Sequence, residues 1–306
     1  PAELVDLKPS LPVQKVWSNS LGGGGEELRL SLGVAFQDGV IYAAGRGGKV
    51  EAFDAANGRS RWSTDTKLDL SAGPGVGPGL VAVGTNDGDV IALDAQSGKK
   101  LWSVKVSSEV LSAPLITTDR VVVRTVDGRI RALDAATGKE QWTGEEPVPR
   151  LSLRGTAPPV LSGETVLCGY DSGKVVAYAL SNGDVLWQAQ VSTPRGRSEL
   201  ERLADVDSAV RVAGNDVYAV GYQGRIAMMA LDSGQVWWGR ELSSYRGLAL
   251  DDDQLYVATS DGSVVAMRRR DGTVLWQQDG LKRRGLSAPA VDGKAIVVGD
   301  FDGYVH

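Results

Sequence analysis

A chain of 306 residues with 42% hydrophobic and 23% charged residues has the material for a large core, and its 39 glycines point to many tight turns rather than long helices. The balance of 33 basic against 38 acidic residues, net −5, excludes the broad basic field of a general nucleic-acid binder. One cysteine excludes an internal disulfide, one histidine at the last position excludes a His-dependent triad or a multi-histidine metal site, and no stretch approaches the roughly 18 apolar residues of a helical membrane span.

In chain order, residues 1–13 are rich in proline and carry no strand pattern, so they read as an extended N-terminal arm. The next text, KVWSNS around Trp17, resembles an outer strand that no inner strands precede; in a closed ring such an orphan completes the last unit. A repeat then takes over. Gly48, Gly88, Gly128, Gly173, Gly224 and Gly262 are each followed ten positions on by another glycine, and four positions after that by a tryptophan. Those tryptophans, Trp62, Trp102, Trp142, Trp187, Trp238 and Trp276, lie 40, 40, 45, 51 and 38 residues apart. About 40 residues hold four strands of five or six residues with short connections, the size of a propeller blade. Apolar residues alternate within these segments instead of recurring at helical spacings. The expectation is an all-β chain, a β-propeller of four-stranded antiparallel blades, forming a single domain over residues 14–306.

Blades are predicted at about 31–64, 69–106, 109–144, 152–191, 207–242 and 245–279, with part of a seventh after Leu286. That last blade stops inside its third strand, which leads to the expectation that the natural chain continues for about 70 residues. The tryptophans are predicted to be structural, each covering its own blade and reaching the next. Cys168 sits in TVLCGY, which matches the strand texts of other blades, and is predicted to be a small buried core residue. Asp54, Asp94 and Asp134 mark the third hairpin turn in blades one to three, where Ala179, Ala230 and Arg268 stand in blades four to six.

Two connectors depart from the repeat. From Trp102 to Ala113 is 11 residues, but from Trp142 to Ala157 is 15 and from Trp187 to Ala209 is 22. Both join an outer strand to the next inner strand, so both are expected side by side on one face, where loops on a rigid scaffold carry function. The first offers Leu151, Leu153 and Arg154. In the second, Ser198 and Glu201 have the spacing of a capping box, predicting one helical turn, followed by Asp205 and Asp207. Leucines and an arginine beside two carboxylates suit a small apolar contact with a charged rim; the plainer alternative is that the leucines cover a blade edge while Arg154 pairs with an aspartate of the chain itself.

The segments LSLRG and RLADVDS, the ALDAxxGxxxW repeats and the opening Trp17 strand together resemble the BamB family, propeller lipoproteins of the bacterial outer-membrane β-barrel assembly machinery. The resemblance implies an eight-bladed ring without cofactor, metal or enzymatic activity. It further implies a place on the periplasmic face of the outer membrane, anchored there through an acylated N-terminal cysteine that does not precede Pro1 here. The implied partners are the POTRA domains of BamA, met by Leu151, Leu153, Arg154, Asp205 and Asp207, and unfolded outer-membrane proteins whose strands pair with exposed blade edges. No nucleic acid is implied. The rival is a pyrroloquinoline-quinone-dependent dehydrogenase, whose propeller carries the same tryptophan repeat; it needs a calcium site with an aspartate base and commonly a vicinal cysteine pair, which one cysteine cannot supply. The Asp251–Asp252–Asp253 run reads as turn chemistry. A generic peptide-binding propeller is the third reading.

Overall fold

The structure, a computed structural model, describes residues 1–5, 11–22, 31–153, 157–193, 198 and 203–306, and every regular element among them is a strand. No helix among the described residues is long and apolar enough to cross a membrane. Blade one is built from Val34–Gln37, Val40–Ala44, Lys49–Asp54 and Ser60–Asp65, each strand antiparallel to the one before it. Five further sheets repeat that order, running over residues 70–105, 115–145, 160–190, 211–241 and 248–278, and a two-stranded sheet, Ala290–Asp292 with Ala295–Val297, begins a seventh. Blade two gains a fifth, parallel strand, Ser31–Leu32, beside its innermost strand. The strands lie within a few residues of the expected limits in blades one, two, five and six, whereas the first strand of blade three starts at Leu115 rather than near 109 and that of blade four at Val160 rather than near 152.

Alternation explains the layering. The second and third strands of each blade bury nearly every residue, as in Leu80–Thr85 and Val90–Leu93, because both faces of the blade are covered. The outer strands of blades two to five bury only the tryptophan and a few neighbours, as Trp102 shows in Lys100–Lys105. Opposite each of the six tryptophans stands a residue of the third strand, Ala52, Ala92, Ala132, Ala177, Met228 or Ala266, and the register slips by one immediately after it. That bulge turns the outer strand and aims the indole away from its own sheet.

The indole then reaches the hairpin turn of the following blade. Trp62 Nε1 donates to the Ala95 carbonyl at 2.9 Å, Trp102 to Ala135 at 2.8 Å, Trp142 to Leu180 at 2.8 Å, Trp187 to Leu231 at 2.7 Å and Trp238 to Arg269 at 2.9 Å. Three residues past each acceptor comes the second glycine of the repeat. Gly138 shows why nothing else fits: its φ is +74°, and a Cβ there would stand 2.7 Å from the Trp102 ring. Each joint removes about 150–250 Å² of aromatic surface from water, a gross contribution of about 4–6 kcal/mol that is an upper bound.

Trp17 belongs to the same series. Residues 11–22 form no strand pairing among the described residues, yet Trp17 Nε1 donates to the Ala55 carbonyl at 2.9 Å and its ring lies against Gly58. The side chain thus takes the place of a preceding blade's tryptophan. Trp276 is the contrast: it is 41% exposed, and its ring lies 6.0 Å from that of Tyr256 in its own blade.

Two compact units emerge, residues 9–145 with 180–183, and residues 1–8 with 146–179 and 184–306. The short turn 180–183 goes with the former because it carries the carbonyl and glycine that receive Trp142. Apolar clusters around Val90 and Ile91 fill that unit. Others around Leu167, Val217, Leu255 and Val264 fill the second. Cys168 is fully buried in the second unit, as its strand text predicts.

Candidate interaction site

Both long connectors lie in the second unit, and the described parts of the two meet. The backbone N–H of Leu153 donates to Asp205 Oδ2 at 2.5 Å, across 52 residues of sequence. Asp205 in turn is fixed from blade four and blade five: Val206 N–H donates to the Tyr170 carbonyl at 3.1 Å, and Tyr222 N–H donates to the Asp205 carbonyl at 2.9 Å. Both insertions therefore emerge beside the turns that join second and third strands, on one face of the unit. Ser192, at the root of the second insertion, is buried; a Cβ on Gly221 would sit 2.2 Å from its hydroxyl, so a larger residue there would have to displace that hydroxyl.

The candidate residues separate by burial. Leu151 is 41% exposed and Leu153 half-buried, whereas Asp205 and Asp207 are 0% and 7% exposed. The two aspartates expected at a charged rim are buried, and Asp205 Oδ2 accepts the Leu153 backbone N–H as an inward staple. Arg154 lies outside the described residues, as does most of the helical turn expected after Ser198.

Asp171, on the blade-four turn, completes a group that sequence spacing did not indicate. Asp171, Asp205 and Asp207 are all buried and bring one carboxylate oxygen each within 4.8 Å of one another. Burial pushes the Asp205 carboxyl up to about 6; the Asp171 charge adds to this and the Leu153 N–H works against it. Three carboxylates are hard oxygen donors of the kind that hold a divalent cation. One of them already receives a backbone N–H, however, and Asp171 and Asp207 have contacts of their own, so the set fits a hydrogen-bonded support better than a metal cage. Asp171 aligns in the repeat with Arg46, Asn86, Val126, Tyr222 and Ser260, two positions before the turn glycine, and that variation among blades was the available signal.

The aspartates proposed for turns behave as turns. Asp251 Oδ1 accepts N–H groups of Asp253 and Gln254, and its Oδ2 accepts the Tyr256 hydroxyl. Asp94 Oδ1 likewise caps Ser97 through both its N–H and its hydroxyl.

A family model described as outer membrane protein assembly factor BamB matches residues 14–67 and 46–278. The outer membrane protein assembly factor BamB of Pseudomonas aeruginosa is 50% identical over 306 residues, an alignment covering 100% of this chain and 80% of that relative. The crystal structure of BamB from Moraxella catarrhalis superposes with a TM-score of 0.85 at 34% identity, over 90% of this chain and 83% of that one. The quinohemoprotein alcohol dehydrogenase of Comamonas testosteroni shares the fold alone, with a TM-score of 0.67 at 13% identity over 88% of this chain and 64% of that one. The architecture is that of a β-propeller with six four-stranded blades and part of a seventh.

Proposed function

Since this chain belongs to the outer membrane protein assembly factor BamB family, we propose that it serves outer-membrane protein assembly as a non-enzymatic adaptor, binding the POTRA domains of BamA through the face that carries its two long insertions. The observation behind this reading is the Leu153–Asp205 hydrogen bond, which holds a partly exposed leucine pair in a fixed conformation before any partner arrives. Leu151 and Leu153 supply apolar contact to a groove on the partner. Arg154, next in sequence, supplies the charged contact. Asp205 and Asp207 act behind them, shaping the loop from within.

The reading includes a place at the periplasmic face of the outer membrane, with a lipid anchor on the native N-terminus. It takes no cofactor. A dehydrogenase reading is disfavoured by the Asp251–Asp253 run, whose first side chain is spent on its own turn and on Tyr256. Titrating the purified chain with a soluble POTRA-domain fragment of BamA tests the proposal. Leu151→Glu and Leu153→Glu are expected to weaken binding at least tenfold; equal affinity for both variants would refute it.

A further inference from the structure

Blade five breaks the repeat in a second place on the insertion face. At the position two before the turn glycine, where other blades have Arg46, Asn86, Val126, Asp171 and Ser260, it has Tyr222, and the following interblade loop supplies Tyr245 and Arg246. The two rings meet edge to face, with centroids 6.1 Å apart at 69°, and the Arg246 guanidinium carbon lies 5.0 Å from the Tyr245 ring centre. Arg246 is exposed and both tyrosines are half-buried. Among the described residues neither tyrosine hydroxyl has a hydrogen-bond partner and Arg246 has no ion pair.

This cluster is held rigidly. Ser244 is fully buried; its hydroxyl donates to the Ala258 carbonyl at 2.6 Å and accepts N–H groups of Arg246 and Gly247, while its own N–H donates to the Gly221 carbonyl at 3.2 Å. Gln223 N–H donates to Ser243 Oγ at 2.9 Å, tying the turn that carries Tyr222 to the loop that carries Tyr245. The Tyr222 N–H bond to the Asp205 carbonyl, on the same peptide chain that staples Leu153, makes the cluster continuous with the insertion site. Tyrosine and arginine on a pre-ordered backbone are the residues that dominate protein–protein binding energy, because little side-chain freedom remains to be lost.

We propose that Tyr222, Tyr245 and Arg246 form a second contact of the same docking surface, taking a carboxylate-bearing segment of the partner protein. The carboxylate pairs with Arg246 and the two tyrosine hydroxyls, and apolar atoms beside it lie on the Tyr245 ring. This rests on the adaptor reading above, and its test separates the two.

The soluble POTRA-domain fragment of BamA is titrated against the unaltered chain, Leu151→Glu, Arg246→Ala, and a Tyr245→Ala/Arg246→Ala pair. Arg246 is exposed, so its single substitution leaves folding intact and keeps the test valid should the pair prove unstable. Arg246→Ala is expected to weaken binding about fivefold or more and to flatten its dependence on salt, and the pair to weaken it about tenfold or more. Affinity within twofold of the original for Arg246→Ala, with Leu151→Glu still defective, overturns the second contact and leaves the adaptor reading standing. Absence of binding by the unaltered chain overturns both.

Discussion

The tryptophan joints and the insertion site are both places where distant stretches of chain are fastened together, but they are built on opposite logic. At a joint such as Trp102 on Ala135 and Gly138, the fastening is an aromatic side chain over a glycine, repeated with the same acceptor position in blade after blade. At the insertion site it is one carboxylate, Asp205, buried away from water to hold one backbone N–H of Leu153. The first stabilises through area and tolerates variation around it. The second carries a desolvation cost and depends on a single geometry, which suits a surface whose shape matters more than its contribution to stability.

If that contrast is right, substitutions at the two kinds of fastening have different signatures. The largest effect is expected at a joint: Trp102→Ala removes a buried indole and strands the Ala135 carbonyl, lowering stability by about 3–5 kcal/mol in urea denaturation while the insertion face keeps its shape. Gly138→Ala attacks the same joint from the other side. The strained φ and the collision with Trp102 are expected to cost more than the about 1–2 kcal/mol of left-handed backbone alone, so a loss below 1 kcal/mol would show that the glycine is not the seat of the indole.

At Asp205 the sign reverses. Its folded carboxyl is raised to about 6 from an ordinary value near 3.8, so the fold binds the proton more tightly than the unfolded chain does. The stability linked to the neutral form is complete below about pH 4 and is lost as pH rises through 6. Asp205→Asn, which cannot ionise, is therefore expected to gain on the order of 2 kcal/mol relative to the original chain between pH 4 and pH 7.5. Urea midpoints at the two pH values measure this difference, and a pH-independent difference would mean that Asp205 is not desolvated. The smallest effect belongs to the turn aspartates. Blade five closes the same turn with Ala230, through the Gly234 N–H to Ala230 carbonyl bond, so Asp94→Ala is expected to cost only about 0.5–1 kcal/mol.

Much of this was legible in the sequence because glycine and tryptophan at fixed spacing encode both the turn and what packs on it. The strand order and the joints could be placed from repeats such as Gly98, Gly138 and Trp102, and the two outgrowths from the long Trp142–Ala157 and Trp187–Ala209 spacings. What the insertions do with their side chains was not legible. Asp205 and Asp207 look like surface carboxylates in RLADVDS, yet both are buried, in a segment tied to blade four by the Val206 N–H to Tyr170 carbonyl bond and to blade five by the Tyr222 N–H to Asp205 carbonyl bond. Asp171 escaped for the same reason: a polar residue at a hairpin turn is ordinary, and its burial comes from a segment more than 30 positions away. Trp17 shows another gap: the sequence suggested an outer strand completing the last blade, whereas among the described residues the segment pairs with no strand and its indole reaches the Ala55 carbonyl.

The central claim is that the Asp205 staple shapes Leu151 and Leu153 for binding. Comparing Asp205→Asn with Asp205→Ala by titration against the soluble POTRA-domain fragment of BamA, at pH 7.5, tests this most directly. An asparagine oxygen still accepts the Leu153 N–H, so Asp205→Asn is expected to bind within about threefold of the original chain and Asp205→Ala at least tenfold more weakly, both remaining folded. Equal, undiminished binding by the two variants would contradict the account.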